Sequence, residues 1–143
     1  MSRPIIHTLV FDAPIEKVWE AITNFDNYGK WNEFCPKVKC DFREGGAITM
    51  YANMFPGRKS TSQTERFFEI TAPKKMRYGI NYGAILKTDR IQVLFSLSNG
   101  KTQYHSTLKM SGMLAPFVLW PYRRPIERGF ELSLVGLRKY LEN

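Results

Sequence analysis

The last eighteen residues of the chain, IERGFELSLVGLRKYLEN, carry apolar side chains at helical spacing. Successive members of the set are four, four, three and four positions apart, close to the 3.6 residues of one helical turn. Charged residues occupy much of the other face. The pattern predicts an amphipathic α-helix that packs one stripe against a large apolar partner. The stripe consists of Ile126, Phe130, Leu134, Leu137 and Leu141.

Three prolines lie in the segment that precedes this helix, residues 113–125. Proline lacks the amide hydrogen that a helix interior needs, and Pro121 also disfavours helical geometry at Trp120. We therefore expect a short helical turn and a kink, with the main helix starting near Tyr122.

Most of the chain before Gly112 alternates apolar and polar residues, which is the period of a β-strand. Turn signals such as Asn99-Gly100 separate the alternating segments. Two short helices are predicted after the first strand, from Pro14 to residue 23 and from residue 24 to 31. Both contain aromatic residues and are expected to close one end of the sheet. The predicted strands cover residues 5–11, 38–42, 48–54, 60–71, 76–82, 90–97 and 102–111.

These elements predict one α+β domain spanning residues 1–143, in which a curved antiparallel sheet wraps around the C-terminal helix. The sequence has no run of about 18 apolar residues, which a membrane-spanning helix would need. The first residues also lack a signal-peptide pattern. We therefore expect a cytoplasmic protein without an integral membrane segment.

Basic residues give the chain a net charge of +8 and are unevenly distributed. Residues 51–126 hold twelve Lys and Arg against three acids, whereas residues 1–50 hold six against seven. Such an excess favours anionic partners, including membrane surfaces. An excess of basic residues is more commonly caused by basic side chains scattered over solvent-facing strand positions. The sequence has no helix-turn-helix, zinc-finger or RNA-recognition motif, so nucleic acid is not an expected partner.

The two cysteines, Cys35 and Cys40, are expected to be free thiols. On a strand, a spacing of five positions places them on opposite faces, where they cannot bridge each other. The histidines are His7 and His105, so the sequence offers no Cys/His cluster for zinc. We expect no metal and no other cofactor.

Four motifs follow one another along the chain: APIEKVW at Ala13–Trp19, FDNYGKWN at Phe25–Asn32, SGMLAP at Ser111–Pro116, and IERGF with GLRKYLE inside Ile126–Glu142. Their order and spacing resemble the SRPBCC superfamily, the START-like proteins, and most closely its polyketide cyclase/dehydrase-type branch. The resemblance covers nearly the whole chain. It implies a helix-grip fold, with a seven-stranded antiparallel sheet around a long C-terminal helix and two short helices after the first strand.

The resemblance also implies a cavity between sheet and helix that holds a hydrophobic or amphipathic small molecule. The superfamily includes lipid and hormone binders, aromatase/cyclases, oxygenase domains and co-chaperone domains, so its fold alone does not give an activity. Cyclase-type sequences often carry polar residues on the last strand. Here those positions are Ser106, Leu108 and Met110, which are mostly apolar and argue against catalysis.

Methionine and aromatic residues are the candidate ligand-binding residues, because methionine adapts its shape to apolar ligands. By periodicity alone, the same side chains could instead fill a packed core, and it is the resemblance that favours a cavity. The candidates are Met50, Met54, Met76, Tyr78, Tyr82, Phe95, Met110, Phe117, Trp120, Phe130 and Leu134.

Candidate catalytic groups are few. The sequence shows no Ser/His/Asp or Cys/His grouping. We expect His105 to face solvent and His7 to be a strand residue with a satisfied hydrogen bond. Arg77 or Arg90 would pair with a ligand carboxylate if either points inward.

Three functions follow from these observations. The first is a non-catalytic module that binds a hydrophobic or amphipathic small molecule as a monomer or weak homodimer. The second is a metal-free cyclase/dehydratase-type enzyme, and the third is an interaction domain whose basic surface contacts a protein or, weakly, the periphery of a membrane. The missing catalytic group favours the first.

Overall fold

The computed structural model describes residues 3–142 of the chain, with one seven-stranded sheet and one long helix. The strands are β1 (Ile5–Phe11), β2 (Lys37–Cys40), β3 (Ala47–Ala52), β4 (Thr61–Thr71), β5 (Lys75–Asn81), β6 (Lys87–Ser96) and β7 (Thr102–Ser111). The helices are α1 (Ile15–Thr23), a 3₁₀-helix (Phe25–Lys30) and α2 (Ala115–Glu142).

The sheet is antiparallel throughout, in the order β1-β7-β6-β5-β4-β3-β2. Strands β2 to β7 form a meander, and β1 closes the far side against β7. The register between β4 and β5 shifts between Phe67 and Glu69, and such an irregularity bends a strand. The predicted helix-grip architecture and its two short helices are confirmed.

One end of the sheet is closed by a packed core, as the aromatic helices predicted. Helix α1 lies against β6 and α2, and the 3₁₀-helix lies against β2 and α1. Burying each large apolar side chain contributes about 1.5 to 3 kcal/mol, so this closed end holds most of the apolar burial. Its fully buried side chains include Phe11, Val18, Ile22, Phe67, Leu94, Tyr104, Leu137 and Leu141.

Helix α2 is longer than predicted. It runs for 28 residues from Ala115, with Pro121 and Pro125 inside it, so the expected start near Tyr122 was wrong. A proline at position i removes the bond to the carbonyl of residue i−4. Phe117 and Pro121, whose carbonyls lose that bond, are both exposed, so water can take the place of the missing donors.

The apolar residues of β6, Ile91, Val93 and Phe95, indicate the wrong inner face for this strand. Arg90 pairs with Tyr78 on one side and with Leu108 on the other, and laterally paired residues share a face of the sheet. Tyr78 and Leu108 both face inward, so Arg90 does too. Phe95 therefore points outward and is 50% exposed.

Two glycines allow α2 to approach the loop after the 3₁₀-helix. A Cβ at Gly136 would collide with the backbone oxygen of Trp31, and one at Gly129 would collide with the ring of Phe34. The two glycines are about two helical turns apart and therefore lie on the same face of α2. The helix and this loop are therefore in direct backbone contact.

We expect Gly136→Ala to destabilise the protein, although alanine is the better helix former by about 1 kcal/mol. The collision with the Trp31 carbonyl forces the helix outward, and overpacking of this kind costs about 1 to 3 kcal/mol. Urea unfolding would measure the change. Val135→Ala, at the exposed neighbouring position, is the control and should stay within about 0.5 kcal/mol of wild type. A Gly136→Ala variant more stable than wild type would contradict the contact.

Candidate functional site

A cavity of about 490 Å³ lies between the inner face of the sheet and α2. This volume is within the range of small-molecule sites, about 300 to 1,000 Å³. Its wall is mainly apolar, with a few polar side chains from the central strands. The apolar lining includes Phe25, Phe34, Ile48, Met50, Met54, Ile80, Leu86, Leu108, Met110, Val118, Ile126, Phe130 and Leu134.

The cavity opens at the end of the sheet opposite α1. Among the residues that border it, Thr61, Ser62, Gln63 and Tyr122 are exposed to solvent. They come from the start of β4 and the first turns of α2, so the mouth lies between these two elements. At the inner end, the buried side chains of the closed end form the floor of the cavity.

Six of the eleven predicted ligand-binding residues border the cavity: Met50, Met54, Tyr78, Met110, Phe130 and Leu134. Met76 does not, although it lies on the same face of β5 as Tyr78. It sits closer to the closed end and is fully buried in the core. Alternation identifies the inner face of a strand, but it does not show where along that strand the packed core gives way to open space.

Four other predicted residues lie outside the cavity and are exposed. Tyr82 follows the end of β5, and Phe95 is on the outer face of β6. Phe117 and Trp120 are 75% and 91% exposed on the first turns of α2. These two point away because the helix already begins at Ala115, which turns Val118 and Tyr122 toward the cavity instead.

The hydrophobic pattern reveals little of the polar groups inside the cavity. Glu65, Thr88, Arg90, Gln92 and Tyr104 all border it. Charged residues on a strand are ordinarily assigned to the solvent face, and on β6 the apolar set at Ile91, Val93 and Phe95 hid the alternation of Thr88, Arg90 and Gln92. Among these five residues, the sequence predicts a ligand contact only for Arg90, on the condition that its side chain points inward.

Arg90 is the cationic group of the cavity. Its guanidinium carbon lies 3.7 Å from the centroid of the Phe130 ring, a close cation–π contact. One terminal nitrogen donates a long hydrogen bond of 3.5 Å to the hydroxyl of Ser106, and the buried Nε has no partner. Within residues 3–142, no carboxylate oxygen lies within 4.0 Å of this guanidinium. Arg77, by contrast, is on the outer face and is paired with Asp89 and Glu69.

Glu65 is the acidic group of the cavity. Burial raises the pKa of its carboxyl from 4.5 to about 7, although the charge of Arg90 and a hydrogen bond from the Gln63 amide, 2.8 Å long, act in the opposite direction. Burial dominates because desolvation penalises the charged form. Near neutral pH the carboxyl is therefore divided between its protonated and ionised forms.

Neutral polar groups complete the inner wall. The Gln92 amide donates to the hydroxyl of Tyr104 at 3.0 Å, and the Gln92 oxygen is buried without a partner. Burial raises the pKa of the Tyr78 hydroxyl and raises the pKa of the Cys35 thiol to about 11. Both groups are neutral at physiological pH, which leaves hydrogen bonding as their contribution.

The family-model comparison gives one match. The model described as Activator of Hsp90 ATPase homolog 1-like protein matches residues 12–142. The chain belongs to this family. Because the family is part of the SRPBCC superfamily, the superfamily assignment made from the motifs is confirmed. No curated protein matched the sequence.

Solved structures of this fold are numerous. Protein CV1439 from Chromobacterium violaceum is 23% identical, with a TM-score of 0.75, and the alignment covers 99% of each chain. The ZhuI aromatase/cyclase from Streptomyces sp. R1128 is 18% identical, with a TM-score of 0.75, over 98% of this chain and 93% of that one. The di-domain aromatase/cyclase BexL from the BE-7585A biosynthetic pathway is 15% identical, with a TM-score of 0.74, over 99% of this chain and 47% of that one. The aromatase/cyclases represent the branch that the motifs resembled, and these identities show a shared fold.

Neither His7 nor His105 borders the cavity. His7 on β1 is half-buried; its Nδ1 has no partner among the described residues, and its Nε2 lies 4.0 Å from the Glu131 carboxylate, so the predicted hydrogen bond is not formed within residues 3–142. Burial and then the charge of Arg90 lower the pKa of His7. His105 Nδ1 lies 2.7 Å from the Thr8 hydroxyl on the outer face of the sheet, in agreement with its predicted orientation.

In the described part of the chain, no three His, Cys, Asp or Glu side chains are grouped closely enough to hold a metal ion. None of the helices within residues 3–142 combines the length and hydropathy that a membrane crossing requires.

We expect the Glu65 carboxyl to make stability depend on pH. Its pKa is higher in the folded chain, so the folded state binds the extra proton, and the resulting stability is complete below about pH 4.5 and is lost as pH rises through about 7. Between about pH 5 and pH 8, wild type should lose about 1 to 3 kcal/mol relative to Glu65→Gln. Urea unfolding at both pH values measures the difference. Glu33→Gln, which alters an exposed carboxylate, should keep the wild-type dependence, and parallel pH curves for wild type and Glu65→Gln would contradict the assignment.

Proposed function

We propose that this protein binds an amphipathic small molecule in the cavity, with the apolar body between the sheet and α2 and an acidic group beside Arg90. The observation that carries the proposal is the unpaired guanidinium. A buried charge without a counter-ion is costly, and within residues 3–142 Arg90 has neither a carboxylate within 4.0 Å nor a partner for its Nε. A ligand carboxylate in the cavity would accept a charge-assisted hydrogen bond from a terminal nitrogen of this guanidinium.

The apolar wall supplies the remaining affinity. Each ligand methylene transferred from water into such a wall contributes about 0.8 kcal/mol. Met50, Met54 and Met110 border the cavity on three different strands, and their flexible side chains can adapt to the shape of the ligand. The wall therefore favours apolar bodies of more than one shape, whereas Arg90 selects the head group.

Glu65 supports an acidic rather than a basic ligand. Its carboxyl is the anionic candidate on the cavity wall, and its raised pKa of about 7 means that it is only partly ionised at neutral pH. The wall then carries a net positive charge from Arg90. Ligand anions are favoured by this field, and ligand cations are opposed by it.

The test compares decanoic acid with decan-1-ol, which share their apolar body. Both are titrated against the neutral probe N-phenyl-1-naphthylamine bound to the protein, and displacement of the probe is followed by fluorescence. We expect the acid to bind about tenfold to a hundredfold more tightly than the alcohol, the range of one or two charge-assisted hydrogen bonds. Arg90→Met should abolish this preference and leave the affinity for the alcohol nearly unchanged.

Lys109→Met is the matched control, since it removes an exposed cation from the outer face of β7. It should retain the full preference for the acid. Equal affinity of wild type for acid and alcohol would refute the role of Arg90, and failure of the probe and both ligands to bind would refute the binding function itself.

A cyclase/dehydratase-type reaction is the second candidate, and Glu65 is the observation that favours it. A general base works best when its pKa is near the working pH, and the Glu65 carboxyl, with a pKa of about 7, lies in an apolar cavity beside a cation. There it could take a proton from a bound substrate, and Arg90 could stabilise the enolate that forms.

Proton abstraction from 5-nitrobenzisoxazole, an apolar substrate that reports on a positioned base, tests this candidate. The ring-opening rate should rise with pH through an inflection near 7, and Glu65→Gln should remove the inflection. Glu33→Gln should leave the pH profile as in wild type. A rate no higher than that of acetate buffer, or a Glu65→Gln variant as fast as wild type, would exclude Glu65 as a base.

A further inference from the structure

Three segments surround the mouth of the cavity, residues 53–60, 81–87 and 111–125, and together they are called the mouth rim here. Each contributes a residue to the cavity wall: Met54, Leu86 and Tyr122. All three lie at the end of the sheet opposite α1, at the end of β3, between β5 and β6, and after β7.

Direct contacts make the mouth rim one continuous surface. The amide of Met113 donates to the carbonyl oxygen of Ala84 at 2.9 Å, which joins the second segment to the third. The ring of Phe55 lies 5.8 Å from the ring of Tyr122, which joins the first segment to the third. The segments can therefore contact one partner together.

The mouth rim exposes an unusual amount of apolar surface. Trp120 is 91% exposed, Phe117 75% and Met113 73%. Among the described residues, sixteen large hydrophobic side chains are exposed, and half of them lie on this rim: Phe55, Tyr82, Ile85, Met113, Leu114, Phe117, Trp120 and Tyr122. Contiguous exposed apolar surface of this kind marks an interaction site.

The charge of the mouth rim has a single sign. Its three segments contain five basic residues and no acid. Arg123 is paired with Glu127 at 2.8 Å. Within residues 3–142, the side chains of Arg58, Lys59, Lys87 and Arg124 have no hydrogen-bond or ion-pair partner.

From the exposed aromatic residues and the unpaired cations, we infer that the mouth rim docks on the surface of an anionic lipid bilayer. Trp and Phe side chains partition into the interfacial region of a bilayer, and each basic residue near an anionic surface adds attraction. A second copy of the chain is a poorer occupant, because rim-to-rim contact would oppose cations with cations. Docking would place the cavity mouth against the lipid, so an apolar ligand could enter without crossing water. Docking on a bilayer is a function separate from ligand binding and does not depend on it.

Co-sedimentation with vesicles tests the inference, using pure phosphatidylcholine and an equimolar mixture of phosphatidylcholine and phosphatidylglycerol. We expect binding to the mixed vesicles at low salt, weaker binding at high salt, and little binding to phosphatidylcholine alone. The double variant Phe117→Ser/Trp120→Ser should bind the mixed vesicles about tenfold or more weakly. Arg58→Ser/Lys59→Ser should weaken binding by a similar factor of about tenfold or more.

Matched controls remove the same chemistry from other surfaces. Phe95→Ser/Val135→Ser changes two exposed apolar residues away from the mouth rim, and Lys39→Ser/Lys109→Ser removes two exposed cations while giving the same net charge as the rim variant. Both should bind within about threefold of wild type. All the substituted side chains are exposed, so circular dichroism should show folded protein in each case.

Three outcomes would overturn the inference. The first is the absence of binding to mixed vesicles at low salt. The second is an equal loss of binding in rim and control variants, which would indicate a non-specific effect of net charge. The third is a wild-type dimer in sedimentation velocity that the variant Phe117→Ser/Trp120→Ser dissociates, together with no binding of wild type to vesicles. The mouth rim would then be a dimer interface.

Discussion

The close approach of α2 to the loop at Trp31–Phe34 is the constraint on which the rest of the structure depends. Gly136 and Gly129 allow this approach, and both ends of the helix are fixed separately. At the C-terminal end, Lys17 donates to the carbonyl oxygen of Leu141 at 3.0 Å, where a cation also suits the helix dipole. At the N-terminal end, Arg123 donates to the carbonyl oxygen of Arg3 at 2.8 Å. A helix held in this way cannot settle onto the whole sheet, and the space that remains is the cavity.

The chemistry of the cavity follows from its intermediate polarity. A fully packed core would exclude Arg90 and Glu65, because neither charge could be desolvated without a partner. Here the mouth and the Phe130 ring reduce that cost for Arg90, and Glu65 avoids part of it because its carboxyl is partly protonated near neutral pH. The same arrangement can hold an anion or move a proton. The choice between a binding module and an enzyme therefore depends on the occupant and not on the fold, as the range of proteins with this fold also indicates.

The sequence predicted the element order, the position of the turn at Asn99-Gly100, and the inner face of β5 and β7, because each depends on local alternation or turn chemistry. It failed on β6, where Arg90 and Gln92 face inward, since their placement is fixed by lateral pairing with Tyr78 and Ser106 and not by their own polarity. It also failed at the start of α2, where the helix runs through Pro121 and Pro125, and the residues whose carbonyls lose a helical hydrogen bond lie on the solvent side. Phe117 and Trp120 were assigned to the wrong surface for the same reason.

The contrast between the two ends of the cavity has a consequence for local stability. At the closed end, Phe11, Tyr104 and Leu137 are fully buried, so local opening there would break many buried contacts. At the mouth, Thr61, Ser62, Gln63 and Tyr122 are exposed, and fewer buried contacts oppose opening. The mouth is therefore the region where the backbone opens at the lowest free energy. A ligand that contacts both the sheet and α2 would raise that free energy without any change in the fold.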